Sequence, residues 1–298
     1  MNHMGSRFRL LSCLCLVGLV VGCSIDKHSD GDGEDISDRP AEPEHLRAEV
    51  TDTLPFNADY FTQGLEVDRR DGSLLVGTGG YGTSGIYRID PETGEEINSA
   101  AMHDSLFGEG ITQSAGGIWQ LTWKDHIATL RNPKDLSVDH VAHPDGGEGW
   151  GVCELPTHPR RLNVDGTSPL PTPELVVSHG TSELTFHDPK TMAGGGSVEV
   201  TNQGSPVDKI NELECVGGDV YANVWMSTDI LRIDPATGEV TAIIDASGLP
   251  NRAANDPDNV LNGIAAIPET EDEDGVPEFY LTGKRWPDLY RVRLTPNE

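Results

Sequence analysis

Two series of positions along this chain carry side chains that could do chemistry, and spacing is what finds them. The first is the residue before a recurring Gly-aliphatic or Glu-aliphatic step: Gln63 before Gly64-Leu65, Glu109 before Gly110-Ile111, Trp150 before Gly151-Val152, Asn211 before Glu212-Leu213 and Asn262 before Gly263-Ile264. The second lies nine residues before a recurring turn: Tyr81, Trp123, His179, Trp225 and Lys284. Together they hold three of the chain's five tryptophans, one carboxylate, one lysine, two Asn and one Gln. Aromatic walls with a few polar groups of different kinds describe a pocket for a small molecule or a peptide end. A single tryptophan on an inner strand more often packs between elements than walls a ligand, but three at equivalent positions reverse that balance. Glu109 sits in Leu106-Phe107-Gly108-Glu109-Gly110, among glycine and apolar groups, where a carboxylate's pKa rises and proton transfer becomes feasible. Glu148, in Gly147-Glu148-Gly149-Trp150, is the rival carboxylate and is read as one step outside the ring. Glu212 and Glu214 are read as structural.

The elements that must position these residues follow from the turns. Ile86-Tyr-Arg-Ile-Asp90-Pro-Glu-Thr-Gly94 recurs as Ile230-Leu-Arg-Ile-Asp234-Pro-Ala-Thr-Gly238, with weaker copies ending at Asn132-Pro and Asp188-Pro and a last one, Leu289-Tyr-Arg-Val-Arg293, without the turn. Each is an alternating strand entering an Asx-Pro turn. Allowing for a Pro-rich insertion near 156–173 and an acidic one near 268–278, the period is about 42 to 46 residues, the length of a four-stranded blade. No amphipathic helix interrupts the copies. The expectation is an all-β chain: a five-bladed β-propeller of four-stranded blades over residues 49–298, with both residue series at the mouth of its channel. The 34 glycines and only 6% aromatics suit a turn-rich β protein.

A formal charge of −28 excludes a nucleic-acid binder, which needs a basic face. Residues 1–22 read as a leader, Arg7 and Arg9 preceding a short apolar run that ends Val20-Val21-Gly22-Cys23. The small residue before Cys23 resembles a bacterial lipoprotein cleavage site, so Cys23 is expected to carry lipid. Export follows, with the outer membrane or periplasmic side favoured by Ser24. Residues 23–48 read as a disordered acidic tether. The leader carries +2 and the tether −5, leaving −25 on the body. That acidity fits solubility or a salty habitat, and a weaker reading is attraction of a cationic substrate. Cys153 and Cys215 remain in the body; export permits a disulfide, and two buried thiols fit as well. The ten histidines show no metal-ligand spacing, so no metal is expected, and nothing in the sequence supports a structural Ca²⁺.

At these same residues the chain resembles the plant and bacterial glutaminyl-peptide cyclotransferases. The resemblance is carried by Tyr60-Phe61-Thr62-Gln63-Gly64-Leu65, Leu106-Phe107-Gly108-Glu109-Gly110-Ile111-Thr112, Gln120-Leu121-Thr122-Trp123 and Gly147-Glu148-Gly149-Trp150-Gly151. It continues through Asn211-Glu212-Leu213-Glu214, Tyr221-Ala222-Asn223-Val224-Trp225, Val260-Leu261-Asn262-Gly263-Ile264 and Leu281-Thr282-Gly283-Lys284-Arg285-Trp286-Pro287, covering most of residues 56–294. It implies a five-bladed propeller and a pocket of Phe61, Gln63, Glu109, Trp123, Trp150, Asn211, Trp225 and Lys284. The implied reaction closes an N-terminal glutamine to pyroglutamate with loss of ammonia and requires no cofactor. Glu109 would shuttle the proton, with Lys284 and Asn211 stabilising charge on the tetrahedral oxygen or holding the amide. Gln63 would bond the substrate backbone, and Trp123, Trp150 and Trp225 would line the pocket. The implied partners are peptides or proteins with N-terminal Gln, met by a monomer that touches membrane only through its lipid. Two other classes compete: a non-enzymatic peptide-binding lipoprotein, and a metal-dependent lactonase-type propeller hydrolase.

Overall fold

The computed structural model describes residues 41–155, 174–253 and 255–297, and every regular element among them is a β-strand. The first strand, β1 (Glu44–Pro55), completes the last sheet. Next come three antiparallel sheets of four sequential strands. These are β2 (Thr62–Val67), β3 (Leu74–Thr78), β4 (Gly85–Ile89) and β5 (Glu96–Ala101), then β6 (Gly108–Ser114), β7 (Gly117–Thr122), β8 (Ala128–Arg131) and β9 (Val138–Ala142), then β10 (Val152–Leu155), β11 (Glu174–Ser178), β12 (Glu183–His187) and β13 (Gly194–Glu199). After a two-stranded ribbon, β14 (Thr201–Asn202) and β15 (Ser205–Pro206), follow β16 (Ile210–Val216), β17 (Asp219–Val224), β18 (Asp229–Ile233) and β19 (Val240–Asp245), and finally β20 (Leu261–Ala266), β21 (Phe279–Gly283) and β22 (Asp288–Pro296). These last seven strands and β1 make one eight-stranded sheet, ordered β16-β17-β18-β19-β1-β22-β21-β20. Strand β1 lies antiparallel to β22 from Leu46 to Pro55 and parallel to β19 through Glu44–Arg47. The result is a propeller-like arrangement of four-stranded units.

The strand gradient has a simple cause. Every residue of β2 is buried, because the strand is enclosed on both faces, whereas the outer strands β5 and β9 are mostly exposed. The apolar core is divided between adjacent four-strand units. Leu75, Ile86, Ile111 and Ile118 join the first to the second; Trp119, Leu121, Val152 and Leu175 join the second to the third; Val176, Leu184, Leu213 and Val220 continue to the next. Ile230, Ile244, Leu261 and Phe279 pack the two halves of the eight-stranded sheet, and Leu65, Leu74, Ala265 and Tyr280 bring its last half back to the first unit.

The turns form as their residues dictate. Asp90, Asn132, Asp188 and Asp234 each accept, through Oδ1, the backbone N–H two residues on at 2.8–3.0 Å. Four residues after each, the chain is left-handed: Gly94 and Gly238, but also Leu136 (φ 61°) and Met192 (φ 60°), both buried in the core. Burial offsets the cost of that backbone in the two copies without glycine.

The innermost strands meet backbone to backbone. A Cβ on Gly151 would stand 2.2 Å from the Asn211 carbonyl oxygen, and one on Gly110 2.7 Å from that of Trp150. Glu212 stands where the other copies have glycine. Its carboxylate accepts Leu65 N–H (3.2 Å) and Ile264 N–H (2.9 Å), tying two neighbouring inner strands together, so its reading as structural agrees with the contacts. One layer on, Glu66 accepts Gln113 N–H at 2.7 Å and Glu214 accepts Ala266 N–H at 3.0 Å. Burial pushes the Glu66 carboxyl up to about 7, Arg69 opposing it, and raises Glu212 and Glu214 well above the usual carboxylate range. A carboxyl raised on folding contributes its full stability below about pH 4.5 and loses it as pH rises through about 7. Glu66→Gln, which keeps an acceptor, is therefore expected to melt close to wild type at low pH and about 5 °C higher at pH 8. Equal melting shifts at both pH values would contradict this.

One expectation changes and one open question closes. The tether was read as reaching residue 48, but β1 begins at Glu44, with Leu46 buried against the core. Composition misjudged it because most of β1 faces solvent and reads as polar. The leader, Cys23, residues 23–40 and the Pro-rich insertion lie outside the described residues. The question left open for the two body cysteines is answered: Cys153 on β10 and Cys215 on β16 form a disulfide, Cα atoms 5.4 Å apart and 62 residues apart in sequence. Closing a loop of that length stabilises by about 4 kcal/mol in the chain-entropy account. Cys153→Ala with Cys215→Ala should lower Tm by about 10 °C, read by calorimetry, with reduction of wild type giving a similar drop.

Candidate active site

Local geometry explains why both residue series face one place. In four inner strands the pairing register breaks at the series residue: between Thr62 and Gly64, Gly108 and Ile111, Ile210 and Leu213, and Leu261 and Ile264. Gln63, Glu109, Asn211 and Asn262 therefore sit in β-bulges, which twist a strand and re-aim its side chain. In the second series a left-handed residue follows Tyr81, His179, Trp225 and Lys284: Gly82 (φ 77°), Gly180 (72°), Met226 (69°) and Arg285 (57°). Backbone hydrogen bonds then stitch the loops around the mouth. Phe61 O accepts from Gly79, Phe107 O from Trp123, Trp123 O from Gly149, Lys209 O from Trp225 and Tyr60 O from Arg285, at 2.7–3.0 Å.

The polar centre is buried. Asn262 Nδ2 donates to Gln63 Oε1 (3.1 Å) and to Thr62 O (3.0 Å), which orients the Gln63 amide. Gln63 Nε2 in turn donates to Glu109 Oε1 at 3.0 Å. Glu109 is 4% exposed, and burial holds its carboxyl well above the usual range; Lys284 opposes the shift and Glu148 adds to it. Lys284 is 6% exposed, its Nζ 4.9 Å from the centre of the Phe61 ring. Burial lowers its pKa, while Glu109 and Asp258 pull it back up. Asn211 is also buried, its backbone carbonyl accepting Ser178 Oγ–H at 2.6 Å.

The aromatic wall is continuous. Phe61 packs edge-on to Phe107 (6.2 Å), Phe107 touches Trp123 (5.4 Å), and Trp150 meets Trp225 edge-on at 5.9 Å. Glu148 bridges the gap: its Oε2 accepts Trp123 Nε1–H at 2.5 Å and Trp150 Nε1–H at 3.1 Å, and Lys124 balances its other oxygen at 3.5 Å. Gln63 thus touches Glu109 and Phe61 touches Lys284, while Trp123, Trp150 and Trp225 follow from Phe61 through Phe107 and Glu148. Tyr81 belongs to the rim, 57% exposed against Phe107. His179 instead turns its Nδ1 to the Glu148 backbone carbonyl, 2.7 Å away. Phe107 was missed, although it stands two residues before Glu109 in a segment already singled out. Among the described residues no group of three or more His, Cys, Asp or Glu is placed to hold a metal ion.

A family model described as glutamine cyclotransferase matches residues 19–294. The chain belongs to the glutamine cyclotransferase family. A glutaminyl-peptide cyclotransferase of Arabidopsis thaliana is 32% identical over 269 residues, spanning 89% of this chain and 75% of that one. The crystal structure of Myxococcus xanthus glutaminyl cyclase superposes with a TM-score of 0.74 at 32% identity, covering 86% of this chain and all of that one. The family match runs through every segment that contributes a pocket residue, from Phe61 to Lys284.

Proposed function

We propose that this chain is a glutaminyl-peptide cyclotransferase that closes N-terminal glutamine to pyroglutamate and releases ammonia. One observation carries the reading: a buried Glu109–Lys284 couple at the base of an aromatic cup. The attack is intramolecular, so the protein has to fold the glutamine, move one proton and stabilise an oxyanion. The cup formed by Trp123, Trp150, Trp225 and Phe61 favours the folded pose and keeps water out. The α-amine nitrogen bonds to the side-chain amide carbon, whose oxygen becomes an oxyanion near Lys284 and Asn211. Glu109 takes the proton that the attacking nitrogen sheds and returns it to the leaving nitrogen, which departs as ammonia when the carbonyl re-forms. Because Gln63 occupies Oε1, Oε2 is the oxygen assigned to this transfer. A carboxyl with a raised pKa suits both halves of the exchange.

The finer architecture belongs to the same reading: counting the eight-stranded sheet as two units joined through β1 gives five blades. Supporting that count, the apolar clusters link neighbouring units in a closed cycle. The protein would work as an exported monomer, lipid-anchored at Cys23 and without a cofactor. Incubating the purified chain with a Gln-initiated peptide tests the activity: the peptide should lose the mass of one ammonia and its free amine. A peptide left unchanged would favour a binding protein.

A further inference from the structure

His179 belongs to the series whose other members wall or rim the cup, yet the mechanism leaves it unused. Its contacts can be counted proton by proton. His179 Nδ1 lies 2.7 Å from the carbonyl oxygen of Glu148, and Nε2 lies 2.7 Å from Thr185 Oγ1. The same Thr185 oxygen is 2.8 Å from His187 Nε2, while His187 Nδ1 is 3.1 Å from the Met192 carbonyl. Carbonyls only accept, so both Nδ1 atoms must carry hydrogen. One hydroxyl proton remains for two Nε2 atoms. Whichever nitrogen does not receive it must donate to the hydroxyl oxygen, and that ring is then protonated on both nitrogens. If Thr185 donates instead to Val177 O, at 3.5 Å, both rings need the second proton. Every arrangement that satisfies these contacts holds at least one imidazolium.

His187 is buried, and burial lowers its pKa, with its bond to the Met192 carbonyl opposing. The groups facing the pair are Asp145, His126 and the Glu148 backbone, which line or border the small cavity beside the His179 ring. Above it Gly146 and Gly147 pack on the imidazole, and the Trp150 ring lies 2.5 Å from where a Cβ on Gly180 would stand. We propose that His179, bonded to Glu148 O and Thr185 Oγ1, is a positioning residue. It fixes the turn whose Glu148 carboxylate gathers the Trp123 and Trp150 indoles, and so governs substrate affinity. The proposal rests on the cyclotransferase reading for its kinetic consequence, but its structural claim stands apart.

The test compares the full chain with Thr185→Val and His179→Gln, using a Gln-initiated dipeptide at one fixed pH. In both variants KM should be roughly five- to tenfold higher than in wild type, one hydrogen bond's worth of order, with kcat within about twofold and tryptophan emission shifted as the two indoles loosen. Variants whose KM and emission match wild type, or whose loss falls on kcat instead of KM, would overturn the proposal. If wild type shows no cyclisation, the activity reading fails while emission still decides the role of His179: a shift in both variants supports it, and unchanged emission rejects it.

Discussion

Glu109→Gln is expected to lower kcat by about 10³-fold while leaving the fold and KM nearly intact. Glutamine keeps an oxygen to accept the Gln63 amide, so the pocket's geometry persists; what disappears is an atom able to take and return a proton. Two pH signatures accompany the loss. In wild type, kcat/KM should fall on the acid side at a pH above the ordinary carboxylate range, because burial raises the Glu109 carboxyl, and the variant's residual activity should lack that limb. A carboxyl raised on folding stabilises below its unfolded pKa and loses that contribution as pH rises through the folded value. The variant should therefore melt like wild type at low pH and above it at high pH. Ammonia release and calorimetry at two pH values check both. A kcat within tenfold of wild type would move the proton transfer to Glu148.

Lys284→Met should cost about 10²- to 10³-fold in kcat/KM, the range for removing one preorganised oxyanion donor. Methionine keeps the unbranched stem against Phe61, so the pocket's packing changes little. The more telling change is electrostatic. Lys284 is the charge that restrains the upward shift of Glu109, so its removal should carry the acid limb of kcat/KM further toward alkaline pH. Full pH profiles of both proteins on one peptide measure it. A limb that stays in place would show that the two groups are not coupled during turnover.

How much of this was legible in the sequence depends on what the repeat could see. It placed Gln63, Glu109, Asn211 and Asn262 at one radius because each precedes the same tightly packed step, although the β-bulges that aim them leave no mark in residue type. Lys284 and Trp225 were found by counting, but Arg285 and Met226 show nothing of their left-handed backbone, since neither is a residue that favours it. Glu148 was read as a rival carboxylate one step outside the ring; that it gathers two indoles depends on the direction of their N–H bonds, a tertiary fact. His179 was counted into the ring by register and turned out to brace it. The Cys153–Cys215 bond depended on two inner strands being adjacent, which spacing alone could not decide.

The closing strand β1 has a mechanical consequence. Whatever precedes residue 41 is joined to the fold through a strand held on one side by β22 and, over Glu44–Arg47, on the other by β19. A pull from the amino-terminal side loads those pairs along the strand, in shear, so many hydrogen bonds must yield together instead of opening one by one. A load arriving through residue 41 would meet its resistance at this first strand before any inner strand is pulled.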